Sequence, residues 1–201
     1  RTYADGISYP VTAITSSFNN SIITVSGSSI NGISSGDEIL LINLQGDTTY
    51  YSNVGNYELL RVLSISTNNI TCTNLISKTY GESTNSSLGN QKVIIQRVPN
   101  YSTVTVTSGG TLTCNNWSGS SGGILAFKCD TLINSGSIHT NGKGFRYGVG
   151  GIRNDGAGCT NYPNPSPTGD RGESYRGLNS VALCSRLTES ETTSIGGGGG
   201  G

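Results

Sequence analysis

Glu38-Ile39-Leu40-Leu41-Ile42-Asn43-Leu44 is a nearly continuous apolar run in a 201-residue chain that is otherwise rich in small polar residues. Seven residues are too few for an isolated helix and suit a strand, and the scarcity of polar interruptions predicts a central strand covered on both faces. Around it the same chemistry repeats. Residues 11–15, 21–26, 57–65, 70–75 and 93–98 are short runs of Val, Ile, Leu, Thr and Tyr, with Gly, Asn or Ser clusters in every gap. Arg61 marks a wetter face on the 57–65 run. Ser66-Thr67-Asn68-Asn69 joins two of the runs as a polar connection suited to an antiparallel hairpin. Helical periodicity is nearly absent, so the expected class is all-β: an antiparallel sandwich or small barrel, followed by a short solenoid-like, glycine-rich β region.

The ladder breaks at Arg97-Val98-Pro99-Asn100, because proline lacks the N–H that a central strand needs. We therefore divide the chain into an N-terminal arm (1–10), a sandwich or barrel domain (11–98), a second β layer or short solenoid-like region (99–140), and a glycine-rich loop region with a polyglycine tail (141–201). In the third part, short strands joined by Ser-Gly and Asn-Ser-Gly turns have the texture of solenoid rungs. In the fourth, aliphatic side chains are almost missing, and order must come from backbone contacts, disulfides or neighbours.

Composition narrows the function. Charged residues are 12% of the chain, and twelve basic groups balance twelve acidic ones, which gives no handle for nucleic acid. The solvated surface must be built largely from the 29 Ser, 23 Thr and 20 Asn. Low net charge leaves little repulsion between copies and permits self-association. No apolar run approaches the roughly 18–20 residues of a membrane span, so no membrane insertion is expected. Methionine is absent even at position 1, which suggests removal of an initiator and a signal peptide, and the expected location is extracellular or at a cell surface.

The catalytic inventory is thin. His139 is the one histidine and sits in an alternating strand pattern. Asp37-Glu38 follow a turn, and Asp170 and Glu173 lie among glycines with no paired acid in view. No Gly-x-Ser-x-Gly, Gly-x-Gly-x-x-Gly or Walker motif occurs. An Asp-x-Asp-x-Asp calcium spacing is missing, as is a Cys-x-x-Cys zinc spacing. The chain is therefore expected to be no enzyme and to need neither metal nor cofactor.

The five cysteines read better as disulfide formers. Cys114 and Cys129 end neighbouring short strands, and Cys159 and Cys184 are placed to pin the glycine-rich loops. Closing the 24 residues between the latter two stabilises by roughly 3 kcal/mol in the chain-entropy account. Cys72 is left as a buried free thiol or as one half of an intermolecular bond. Asn19, Asn69, Asn85, Asn100 and Asn116 carry the Asn-x-Ser/Thr pattern of glycosylation acceptors.

Arg97-Val-Pro-Asn-Tyr-Ser-Thr-Val-Thr-Val, Gly110-Thr-Leu-Thr with Trp117 and Gly119, Gly122-Gly-Ile-Leu-Ala-Phe-Lys, Gly136-Ser-Ile with Gly142-Lys-Gly-Phe-Arg, and Gly172-Glu-Ser-Tyr occur in this order. The series resembles poorly characterised glycine-rich secreted proteins of bacteria. The resemblance implies an extracellular β domain followed by a polyglycine-type region, and it brings no catalytic residues.

Two functions fit these readings. One is a non-enzymatic structural subunit of a self-assembling extracellular filament or surface fibre, its partner being itself. The arm Arg1-Thr2-Tyr3-Ala4-Asp5-Gly6-Ile7-Ser8-Tyr9-Pro10 would add a strand to the next copy. The tail Gly196-Gly197-Gly198-Gly199-Gly200-Gly201 would pack as close-approaching extended chains, since ordering it alone costs on the order of 6–12 kcal/mol. The alternative is an adhesin or a phage or virus fibre-tip module, in which Trp117, Tyr147, Tyr162 and Tyr175 stack on surface glycans.

Overall fold

The computed structural model describes Thr2–Tyr3 as a strand, and residues 6–146 and 173–177 in full. No helix occurs among these residues. The strands are β1 (Thr2–Tyr3), β2 (Ser8–Ser17), β3 (Asn20–Val25), β4 (Glu38–Gln45), β5 (Tyr57–Ser66), β6 (Asn69–Cys72), β7 (Lys92–Arg97), β8 (Asn100–Val106), β9 (Thr111–Thr113), β10 (Lys128–Asn134) and β11 (Ser137–Ile138).

The barrel of the two expected alternatives is the one adopted. Strands β2-β3-β6-β5-β4-β7 close on themselves with every neighbour antiparallel. Period-2 alternation drives this closure, because it gives each strand one inward apolar row. Ile39 and Leu41 of β4, Leu60 and Val62 of β5, Ile70 and Cys72 of β6, Val93 and Ile95 of β7, Ile23 and Val25 of β3, and Val11 and Ile14 of β2 share a single core. Each large aliphatic side chain buried there contributes about 1.5–3 kcal/mol. The connection between β6 and β7 folds back over this core and adds Tyr80 and Leu88 to it.

β4 differs from its expected environment. Its residues alternate between buried and half-buried instead of being covered on both faces. A barrel strand has one inner face, and the outer Leu40 borders a shallow apolar groove with Val98, Leu125 and Phe127. The β5–β6 connection is also tighter than expected: Ser66 pairs with Asn69, leaving a two-residue turn with Thr67 at φ 56°.

After Pro99 the pairing turns parallel. Lys128 of β10 stands opposite Asn100 of β8, and Ser137 of β11 opposite Thr111 of β9. Each turn of the chain thus advances 28 residues along one sheet and 26 along the other, as in a coil of stacked rungs. Its small interior holds Val106 and Leu112, with Val104, Leu125, Phe127 and Ile138 against them.

The segment 1–10 is not a free arm. Thr2 and Tyr3 pair in parallel with Leu112 and Thr113 of the same chain, which places β1 on the far side of β9 from β11. Ser8, Tyr9 and Pro10 pair with Gln96, Ile95 and Ile94 and help to close the barrel. Residues 2–3 and 8–10, which an arm would offer to another copy, are thus already paired with strands of the same chain. Gly6 and Ile7 lie between these two pairings, while Arg1, Ala4 and Asp5 lie outside the described residues.

Candidate functional site

Residues 173–177 lie far along the chain from the barrel, yet they dock on both the barrel and the coil. At the barrel, Gly46 N–H donates to Tyr175 O (2.7 Å) and Gln45 Nε2 donates to Ser174 O (2.7 Å). At the coil, Glu173 N–H donates to Arg146 O (2.8 Å). Glu173 is only 3% exposed. A buried carboxylate is tolerated when it is fully hydrogen-bonded, and this one accepts from Trp117 Nε1 (2.8 Å), Arg146 N (3.0 Å) and Arg146 Nη2. The Arg146 guanidinium and these N–H groups hold its carboxyl below the ordinary 4.5 against the opposing effect of burial.

Between these elements lies a cleft of about 360 Å³, bordered by Gln45, Asp47, Asn90, Lys92, Arg146 and Arg176 among others. Asp47 Oδ1 accepts from Thr49 N (2.8 Å) and Tyr50 N (2.6 Å), and its Oδ2 accepts from Asn90 Nδ2 (3.1 Å). The Tyr50 N–H and the Asn90 amide hold its carboxyl below the usual 3.8. Both carboxylates are ionised near neutral pH, and both are already engaged with partners of the same chain.

An aromatic group borders the cleft residues. The rings of Tyr51 and Tyr175 meet edge to face at 5.9 Å. The Arg176 guanidinium lies 3.8 Å from the Tyr51 centroid and 5.4 Å from that of Tyr175, and its Nε donates to the Tyr175 hydroxyl (3.1 Å). These contacts restrain Arg176 and leave Tyr175 42% exposed. A fixed aromatic surface beside a polar cleft suits a ligand with both hydroxyls and C–H faces.

The expected site residues fare differently from one another. Tyr175 is at the surface, as a stacking residue must be. Trp117 is 5% exposed, bonded to Glu173 and packed edge-on against Phe145 (5.6 Å, 89°). It is a packing residue and not a ligand platform. Its segment has few aliphatics, so the one tryptophan is needed for the local core, which was the available signal in the sequence. Tyr147 and Tyr162 lie outside the described residues, as do Cys159, Cys184 and Gly196–Gly201.

Cys114 and Cys129 form no disulfide with each other; both are thiols. Cys114 follows β9, whereas Cys129 stands in the other sheet opposite Tyr101. Cys72 is a buried thiol, pushed up to about 12 by desolvation. Of the acceptor asparagines, Asn19, Asn100 and Asn116 are exposed and Asn69 is half-buried. Asn85 is half-buried too, and its Nδ2 is committed to Lys78 O (2.9 Å).

No family model matches the chain, and no curated protein does. Among solved structures, the chain is similar to the tailspike protein gp49 from Pseudomonas phage LKA1, at 18% identity and a TM-score of 0.31, over 55% of this chain and 21% of that one. It is also similar to the Gp54 tailspike of Acinetobacter baumannii bacteriophage AP22, a complex with A. baumannii capsular saccharide. There the identity is 20% and the TM-score 0.28, over 55% of this chain and 19% of that one. The chain thus spans about a fifth of each tailspike.

One expectation is corrected at this point. The reading of the chain as no enzyme is withdrawn, since the solved structures it is similar to are phage tailspikes. That reading also leaned on the lack of any visible carboxylate pair, and the fold brings Asp47 and Glu173, distant in sequence, to one cleft.

Proposed function

We propose that this chain is a glycan-binding module of an extracellular fibre, of the kind carried on a cell or virion surface. The observation that carries this reading is the Tyr51–Arg176–Tyr175 cluster beside the polar cleft, which offers a restrained aromatic face next to amide, hydroxyl and charged groups. A surface of Ser, Thr and Asn with few charges suits an exposed extracellular setting, as does the resemblance to secreted glycine-rich bacterial proteins. A glycan microarray probed with the purified chain tests the reading. Wild type is expected to bind a subset of saccharides, and Tyr175→Ala to bind them roughly tenfold more weakly, the scale of one lost aromatic contact plus its buried area. Binding to no saccharide, or identical binding by the variant, would refute it.

A second reading, a subunit that assembles with its own copies, draws on a different observation. Along the edge of β10 away from β8 no strand is paired among the described residues, and Leu132 and Ile133 of that strand are about half exposed. Electron microscopy of the purified protein decides it. Regular polymers that disappear in an Ile133→Lys variant support it, and dispersed single particles at high concentration reject it.

A further inference from the structure

We infer that the saccharide taken by this cleft is acidic and presents a carboxylate to Lys92 and Arg176. The inference rests on the glycan-binding reading and narrows it to a ligand class. Five charged side chains border the cleft: Asp47, Glu173, Lys92, Arg146 and Arg176. The two negative ones are turned to internal use. Glu173 is almost wholly buried, with its oxygens filled by Trp117 and Arg146. Asp47 is filled by two backbone N–H groups and Asn90.

The positive groups remain available. Lys92 is exposed, and its ammonium makes no hydrogen bond or ion pair among the described residues. Arg176 uses its Nε on the Tyr175 hydroxyl and its face on Tyr51, and its two Nη groups have no hydrogen bond among those residues. Arg146 gives one Nη to Glu173 while its side chain stays 56% exposed. The chain as a whole has no net charge, so this cationic excess belongs to the cleft. A guanidinium held over the Tyr51 ring, its Nη fork without a hydrogen bond among the described residues, matches a planar carboxylate in two parallel hydrogen bonds, at reduced entropic cost. The ring of Tyr175 stands beside that fork, where the C–H face of the same sugar unit would lie.

The test is a microarray of uronic- and sialic-acid oligosaccharides, each printed beside its methyl ester, together with neutral glycans. Binding confined to the free acids is expected. Lys92→Gln should lower the signal roughly three- to fivefold, the scale of one exposed ion pair. Arg176→Lys keeps the charge but removes the fork and is expected to lose more. Raising the salt to 0.5 M should weaken wild type and leave Lys92→Gln less affected. Equal binding of acid and ester, or of wild type and Lys92→Gln, overturns the inference while leaving glycan binding intact. Binding to no member of the array overturns both.

Discussion

Replacing Glu173 by alanine tests the joint that holds the cleft together. The variant removes the acceptor of the Trp117 indole N–H and the partner of the Arg146 guanidinium. A charge-assisted hydrogen bond contributes about 1.5–3 kcal/mol, and an indole N–H left buried and unpaired costs about 1–3 kcal/mol. The segment 173–177 therefore loses about 4 kcal/mol of docking free energy, a shift of roughly a thousandfold in its equilibrium. Trp117 is the sole tryptophan and lies at this joint, so its fluorescence reads the event directly. The emission maximum should move to the red and acrylamide quenching should rise, while the far-ultraviolet circular dichroism of the barrel stays as in wild type. In the wild-type protein the same change is expected on acidification. A carboxyl held below its ordinary value contributes its stabilisation above the unfolded pKa, 4.5 here, and loses it as pH falls through the lower folded value. A Glu173→Ala protein with the emission and quenching of wild type would refute this account of the joint.

Asn43 is buried in the barrel, where its Nδ2 donates to Tyr80 O (3.0 Å) and Gln91 Oε1 (2.8 Å); Asn43→Ala should cost about 2–3 kcal/mol and lower Tm by about 4–12 °C in calorimetry. A Cβ at Gly136 would sit 2.4 Å from the carbonyl oxygens of Gly110 and Thr107, so Gly136→Ala should destabilise the coil by about 1–3 kcal/mol in urea unfolding; a loss under about 0.5 kcal/mol would contradict the close stacking of the rungs. In native protein at pH 8, a thiol reagent followed by peptide mapping should mark Cys129, which is half-buried, and spare Cys72, which is buried and pushed up to about 12. Because the Cys72 thiol is raised above its ordinary 9.0, its contribution to stability should fall as pH climbs past that value.

The strands were legible because each is a short run of β-branched and aliphatic residues bounded by turn formers. The run at 57–65 ends one residue short of β5, and the run at 93–98 is shifted by one residue from β7. Coverage was less legible: Glu38–Gln45 is apolar enough for a strand covered on both faces, but barrel closure spends only one of its faces on the core. The cleft was not legible. Asp47, Lys92 and Arg176 stand in three unrelated stretches; the pairing of Gln45 with Lys92 brings the first two together, and the return of residues 173–177 to Gly46 adds the third. Trp117 was misjudged because an aromatic among glycines looks exposed until its neighbours Phe145 and Glu173 are seen around it.

The strand β1 belongs to the parallel stack, and the chain rejoins that stack only at β8 and β9. The six strands between them are thus an excursion whose two ends run side by side, with Arg97 N–H donating to Ile7 O at 2.9 Å. Such a side dome can be exchanged for another of different shape without altering the register of the column beneath it. Variation in what the surface meets and constancy in what carries it are therefore separable in this architecture.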